Sequence, residues 1–137
     1  MFRALDELKN WLAGLFVILL LTGGCNASQV KMDDTHNNTQ QEIVRGRELV
    51  ITLASNPSTG YRWEVAEADK AVLHQVGDAE FKSSAPSNTQ VVGAGGTETF
   101  RFESIGAGTT TLKMIYRRSW ETGVPPIKTY TVQIAVR

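Results

Sequence analysis

The chain ends in the stretch Tyr130-Thr131-Val132-Gln133-Ile134-Ala135-Val136, in which every second residue is apolar and most of these are large. Successive side chains of a β-strand point to opposite faces of a sheet, whereas a helix brings residues three and four apart onto one face. The alternation therefore predicts a strand that has one buried face and one face turned to solvent.

The same period of two recurs four times upstream. Its apolar members are Leu49, Ile51 and Leu53; Tyr61, Trp63 and Val65; Phe100 and Phe102; and Leu112, Met114 and Tyr116. A weaker segment, residues 71–81, predicts one or two short strands around Gly77-Asp78, a pair typical of turns. No stretch after residue 43 has a sustained helical period with caps, so the sequence predicts an all-β sandwich. An immunoglobulin-like antiparallel arrangement fits a domain of this size.

Length and charge limit the classes of function. A chain of 137 residues fits one domain, and its 14 Lys and Arg residues balance its 14 Asp and Glu residues. Without a basic excess we expect no nucleic-acid partner. The histidines, His36 and His74, have no metal-ligand spacing and neither is placed to activate a nucleophile. We therefore expect no metal site, no cofactor and no enzymatic activity.

The N-terminus predicts export. An apolar run, residues 11–21, has the length of a signal peptide and is followed by Gly23-Gly24 and by Cys25, the only cysteine. This junction resembles the lipobox of bacterial lipoproteins. The resemblance implies that residues 1–24 are a signal peptide and that Cys25 is acylated, which gives a membrane-anchored lipoprotein of the bacterial cell envelope, in the periplasm or at the surface. The alternatives are a free thiol after ordinary cleavage and an uncleaved membrane anchor.

Residues 25–42 are predicted to form a flexible tether. The sequence there is rich in Asn, Gln, Asp, Thr and Ser. It has hardly any large apolar residue whose burial would offset the entropy lost on ordering. The folded domain is therefore expected to span residues 43–137.

Three short patches fall in breaks between the predicted strands: Asn56-Pro57-Ser58-Thr59-Gly60-Tyr61, Gly93-Ala94-Gly95-Gly96 and Arg118-Ser119-Trp120. The first two have an ordinary structural explanation. The first is a good turn sequence, and the second is typical of a linker, although glycines also let two backbones approach closely. The third places a tryptophan beside arginine at a loop tip, a setting typical of an exposed interface anchor, whereas Trp63 is expected in the core.

The order and spacing of these patches resemble the chagasin family of cysteine peptidase inhibitors, whose pattern is Asn-Pro-x-Thr-Gly-Tyr, Gly-x-Gly-Gly and Arg-Pro-Trp. The resemblance covers nearly all of residues 43–137, with Ser119 in place of the family's proline. It implies an immunoglobulin-like fold and reversible inhibition of papain-like cysteine peptidases by three loops inserted into the active-site cleft. Ser58 and Thr59 would then lie near the catalytic centre of the peptidase. The rival interpretation is an immunoglobulin-like cell-envelope module that binds or assembles without inhibiting.

Overall fold

A computed structural model describes residues 28–88 and 92–137. These residues form the strands β1 (Val30–Asp33), β2 (Thr39–Ile43), β3 (Glu48–Ser55), β4 (Arg62–Glu67), β5 (Leu73–Gln75), β6 (Glu80–Ser83), β7 (Gly96–Ser104), β8 (Gly108–Arg117) and β9 (Lys128–Val136). Two single-turn 3-10 helices, Asp34–His36 and Pro57–Thr59, lie between them. Within the same ranges no helix is long and apolar enough to cross a membrane. The predicted signal peptide, residues 1–24, and Cys25 lie outside the described residues.

The strands form two sheets that enclose one core. The first sheet has the order β1-β3-β7-β5, with β6 also paired along β7, and the second has the order β2-β9-β8-β4. The predicted all-β sandwich is thus confirmed. The weak segment around Gly77 does hold two short strands, since β5 and β6 both pair with β7.

The alternating apolar residues build the core between the sheets. Buried members of β3, β7, β8 and β9 are Leu49, Ile51, Leu53, Phe100, Phe102, Leu112, Met114, Tyr116, Tyr130, Val132, Ile134 and Val136. In β4 Trp63 is buried, at 6% exposure, and Val65 is partly buried against the same cluster, as is Tyr61 just before the strand. The period of two therefore identifies the inward faces correctly.

The predicted tether is wrong for residues 30–42. β1 pairs with β3 over Val30–Asp33, and β2 pairs with β9 over Thr39–Ile43. Composition misleads here because an edge strand is ordered mainly by backbone hydrogen bonds and contributes few side chains to the core. Met32 and Ile43 are the buried apolar residues of these two strands. The sandwich therefore begins at Val30 rather than at residue 43, and residues 25–27 lie outside the described ranges.

The segment between β1 and β2 crosses from one sheet to the other. Asp33 accepts hydrogen bonds from the hydroxyl of Thr35 at 2.5 Å and from its N–H at 3.0 Å, and these bonds hold the pKa of Asp33 below its usual value. The Asn37 side chain then joins β9, donating to Thr129 O at 3.2 Å and accepting from Thr131 N at 2.9 Å.

Two pairings correct the expectation of a purely antiparallel sandwich. β1 runs parallel to β3 and β2 runs parallel to β9, while the other pairings are antiparallel. A tight hairpin joins antiparallel neighbours, whereas parallel neighbours need a longer connection. The chain between β1 and β3 passes through β2 in the other sheet, and the chain between β2 and β9 contains β3 to β8, so neither parallel pair is joined by a hairpin.

The two ends of the sandwich differ in what they present. The three motif patches adjoin one end, where Ser55 pairs with Gly96 and Arg62 with Arg117; we call it the loop end. Ser28 lies at the opposite end, where the guanidinium of Arg47 donates to its hydroxyl. β3 has eight residues, and at roughly 3.3 Å per residue it separates the two ends by about 25 Å. The described chain therefore enters the sandwich far from the motif patches.

Candidate functional site

The three motif patches meet at the loop end, and we call residues 56–61, 93–96 and 118–120 the first, second and third loops. Asn56 donates from Nδ2 to Gly93 O at 3.2 Å, which joins the first loop to the second. Arg118 donates from Nε to Thr59 O at 3.0 Å, which joins the third loop to the first. The first loop thus lies between the other two and is bonded to both.

The first loop is a closed turn. Asn56 O accepts from the N–H of Thr59 at 3.1 Å and from its hydroxyl at 2.6 Å, and Pro57 O accepts from Gly60 N–H at 2.9 Å. Proline favours such a turn because its ring fixes φ. The hydroxyl of Ser58 donates to Asn56 Oδ1. Ser58 and Thr59 are exposed at the tip, as predicted, and the loop's own hydrogen bonds hold them there.

Two constraints make Gly60 necessary at the end of this turn. Its φ of 83° lies in the left-handed region that glycine adopts without strain. A Cβ at Gly60 would lie 2.2 Å from the ring of Trp120, so a side chain there would push the indole away. Glycine therefore lets the third loop lie directly against the backbone of the first.

The second loop is partly absorbed into a sheet. Gly96 is the first residue of β7 and pairs with both β3 and β6. A Cβ on Gly96 would lie 2.1 Å from Lys82 O, so this glycine serves close strand packing. Gly95 O accepts from the N–H of Ser84 at 3.0 Å and from its hydroxyl at 2.7 Å. The sheet thus holds the second half of the patch, and its first two residues extend beyond the sheet.

The third loop is a turn that begins at Arg118. Glu121 N–H donates to Arg118 O at 3.2 Å, and the Arg118 guanidinium donates to the Glu121 carboxylate at 3.3 Å. The same guanidinium lies 4.4 Å from the centre of the Tyr61 ring. Trp120, by contrast, is 67% exposed. The Arg118 side chain therefore makes its contacts within the protein, whereas Trp120 is the large side chain that the third loop exposes to solvent.

Aromatic residues form the floor beneath the loops. The centre of the Tyr116 ring lies 5.6 Å from that of Tyr61 and 5.1 Å from that of Trp63. The Tyr116 hydroxyl accepts from Asn56 N–H at 2.8 Å, and the Trp63 indole donates to Ala54 O at 3.0 Å. The Tyr116 hydroxyl and the Trp63 indole therefore bond the backbone at the start of the first loop and just before it.

Sequence reasoning does not identify every group that positions the loops. The period of two places Trp63 and Tyr116 in the core, but it says nothing about the indole N–H and the hydroxyl. Glu98 lies two residues before Phe100 on the inward face of β7 and is buried. A carboxylate at an inward strand position is a signal that could have identified it, because a buried charge needs partners.

The loop end offers contact surface rather than reactive groups. Trp63 and Trp120 line an open concavity of about 570 Å³ beside the first loop. In residues 28–88 and 92–137 no group of three or more His, Cys, Asp or Glu side chains could hold a metal ion. What the described arrangement can do is present three linked loops to the groove of another protein.

Comparisons with known proteins agree on one family. The model of the Chagasin family peptidase inhibitor I42 matches residues 42–134. Amoebiasin-2 of Entamoeba histolytica is 32% identical over 90 residues, which cover 65% of this chain and 70% of that protein. Chagasin of Trypanosoma cruzi is 30% identical over 90 residues, which cover 66% of this chain and 82% of that protein.

A solved structure is also similar. The crystal structure of the cysteine protease inhibitor EhICP2 from Entamoeba histolytica aligns with a TM-score of 0.69 and 26% identity, over 80% of this chain and 96% of that one. The family match includes all three loops and the strands β3 to β8 that hold them. The chain therefore belongs to the chagasin family of cysteine peptidase inhibitors.

Proposed function

We propose that this protein reversibly inhibits papain-like cysteine peptidases by inserting its three loops into the active-site cleft. The observation that carries the proposal is the linked arrangement of the loops, in which Arg118 and Gly93 bond the first loop from its two sides. The family match supports the activity, since its members are peptidase inhibitors. Because the loops lie together at one end of the sandwich, we propose that their residues contact the peptidase.

The closed first loop explains how such a protein blocks a peptidase without being consumed. A loop that folding has already ordered loses little further freedom on binding, so more of its contact energy appears as affinity. Peptide segments that bind along a cleft are commonly extended. The 3-10 turn at Pro57–Thr59 is not extended, and its backbone hydrogen bonds resist opening.

Within this proposal the loops divide the contacts. The tip of the first loop, with Ser58 and Thr59, meets the catalytic centre. Gly93 and Ala94 line the cleft on one side, since Gly95 and Gly96 are held by the sheet. Trp120 supplies the largest exposed apolar side chain and anchors the other side. A surface of this kind fits an interface of standard size, about 1,600 Å² in total.

Titration with papain separates inhibition from the rival envelope-module function. The full chain is kept in a mild non-ionic detergent because of its apolar N-terminal run, and papain or a cathepsin is assayed with increasing amounts of it. We expect competitive inhibition, no effect on a serine peptidase, and an intact inhibitor by mass spectrometry. No inhibition at micromolar concentrations, or steady cleavage within residues 56–61, would contradict the proposal.

We also propose that Cys25 is acylated and retains the protein in the bacterial cell envelope. The support is the apolar run that leads to Gly23-Gly24-Cys25 in the sequence. Two acyl chains hold a protein firmly, whereas one chain gives only marginal binding. The position of Ser28 at the end opposite the loops is compatible with an anchor, because a peptidase could reach the loop end without approaching the membrane.

Membrane retention tests the anchor. The native chain and Cys25→Ser are expressed in a bacterial host, and their shares of the membrane fraction are compared. We expect the native chain in the membrane fraction and a large part of Cys25→Ser outside it. Equal retention of the two would contradict acylation at Cys25 and favour the uncleaved anchor.

A further inference from the structure

Glu98 is a charged residue in a position that the strand pattern reserves for apolar side chains. It shares the inward face of β7 with Phe100 and Phe102, and its side chain is 1% exposed. Removing a carboxylate from water is costly unless hydrogen-bond partners compensate for the lost solvation. A residue that carries this cost near the loop end has a purpose other than filling the core.

The partners of Glu98 lie on both sides of the first loop. Its Oε2 accepts from Ser55 Oγ at 2.8 Å and from Trp63 N–H at 3.0 Å, and its Oε1 accepts from Arg62 Nε at 3.1 Å. Ser55 is the last residue of β3, and Arg62 and Trp63 are the first two residues of β4. One carboxylate therefore bonds the residue before the loop and the residues that follow it.

The same carboxylate joins the two sheets. β3 and β7 belong to the first sheet, whereas β4 is the outer strand of the second. Trp63 N–H donates to Glu98, so the carboxylate satisfies a donor on an outer strand. Hydrogen bonds to an ionised acceptor are stronger than neutral ones, and three of them fix the separation between the two ends of the loop.

We propose that Glu98 is the positioning residue of the first inhibitory loop, which it holds in its blocking conformation by bonding Ser55, Arg62 and Trp63 at the base. The proposal rests on the inhibitory function proposed above. Glu98 touches no peptidase; it acts through the spacing of the loop's two ends. The Trp63 indole bonds Ala54 O independently of Glu98, so the fold does not depend on the carboxylate alone.

Glu98→Gln tests the proposal with little change in shape. The amide keeps one acceptor oxygen and replaces the other by a donor, so it cannot accept from all three partners. The matched control is Ser104→Ala at the opposite end, because the Ser104 hydroxyl is also buried and bonds Val44 O at 3.1 Å and Arg47 O at 2.9 Å. Both variants remove buried hydrogen bonds, but only the first lies beneath the loops.

Three measurements on the full chain decide the outcome: the inhibition constant for papain, the intact mass after incubation with papain, and the thermal melt. For Glu98→Gln we expect an inhibition constant raised by roughly tenfold, since the loop side chains must be ordered again on binding. We also expect cleavage within residues 56–61. Ser104→Ala should lower the melting temperature but inhibit as the parent does. Unchanged inhibition by Glu98→Gln, or equal loss in both variants, overturns the proposal.

Arg62→Ala covers the case in which Glu98→Gln does not fold. The Arg62 side chain is 55% exposed, so its removal leaves the core intact while taking one bond from Glu98. We expect a smaller rise in the inhibition constant than for Glu98→Gln, together with a lower melting temperature, because the buried carboxylate of Glu98 loses its cationic partner. Unchanged inhibition by Arg62→Ala would then count against the proposal.

Hydrogen exchange keeps the positioning role separate from the inhibitory function. The N–H groups of Thr59 and Gly60 are bonded within the loop, so their exchange rates report whether the turn is closed. We expect faster exchange in residues 56–61 of Glu98→Gln but not of Ser104→Ala. If the parent chain fails to inhibit any peptidase while this pattern is found, the proposed function is wrong and the positioning role stands. If neither variant changes the exchange, the positioning role is wrong.

Discussion

Two tryptophans at the loop end show how one residue type serves two purposes. Trp63 is 6% exposed, packs against Tyr116 and donates its indole N–H to the backbone, whereas Trp120 is 67% exposed and lies against Gly60. Both line the same concavity. Their difference comes from local structure, because Trp63 is the second residue of a strand and Trp120 belongs to a turn. Stability and binding should therefore respond separately to changes at these two positions.

Trp63→Ala should have the largest effect on the free energy of unfolding. Truncating a buried tryptophan costs about 3–5 kcal/mol, because apolar contacts are lost and a cavity is left. Denaturant unfolding followed by circular dichroism measures this loss, with Trp120→Ala as the control of the same residue type. Similar unfolding curves for the two variants would show that the difference in burial between Trp63 and Trp120 does not change the free energy of unfolding.

Thr59→Glu should have the largest effect on binding. Thr59 lies at the exposed tip of the first loop, so the fold should tolerate the change. In the complex the carboxylate must either clash with the peptidase or be buried without a partner, a penalty on the order of 3–5 kcal/mol. The expected result is an inhibition constant for papain beyond the measurable range, with Thr59→Ser close to the parent. If Thr59→Glu still inhibits papain, the tip of the first loop does not lie at the catalytic centre of the peptidase.

Trp120→Ala should weaken binding by about 2 kcal/mol or more, roughly 30-fold, as truncation of an interface hot spot does. The melting temperature should stay near that of the parent, since most of this side chain is in solvent. The inhibition constant and the melt are measured side by side. A lowered melting temperature with an unchanged inhibition constant per folded molecule would mean that Trp120 stabilises the fold, as Trp63 does.

Ser119→Pro should have the smallest effect. Ser119 is the second residue of the turn closed by the hydrogen bond from Glu121 N–H to Arg118 O, a position that proline favours. Restricting the unfolded chain should stabilise the protein by about 0.4–1 kcal/mol. We expect a slightly higher melting temperature and a slightly lower inhibition constant, with Ser119→Ala as the control. A lower melting temperature would show that the local backbone does not accept proline.

The contrast between the tryptophans also shows what the sequence can predict. The alternation of apolar residues predicts that Trp63 is in the core, and the position of Trp120 in a turn after two arginines predicts that it is exposed. The structure confirms both predictions. The links between loops could not be predicted, because the bonds of Arg118 to Thr59 O and of Asn56 to Gly93 O join residues far apart in the chain. Each loop sequence is consistent with many relative positions, and the sheet register decides among them.

In the N-terminal segment the sequence-based prediction is wrong, because it excludes strands that the structure contains. Its composition predicts a tether, yet Val30–Asp33 and Thr39–Ile43 are strands. A compositional argument counts side chains that can be buried, but β1 and β2 gain their order from backbone groups that β3 and β9 leave open at the sheet edges. The polar side chains of such an edge strand resemble those of a flexible segment.

The covering of those edges has a consequence for any shortened form of the protein. A chain cut at residue 42, where the family match begins, would lose β1 and most of β2. The edge of β3, the strand that leads into the first loop, would then expose unpaired N–H and C=O groups over Leu49–Thr52, the four residues that pair with β1. Exposed flat edges of this kind recruit strands from other molecules and start aggregates. In the intact chain β1 and β2 form these edges instead, and because they are short and largely polar they offer neighbouring copies a poorer strand to pair with.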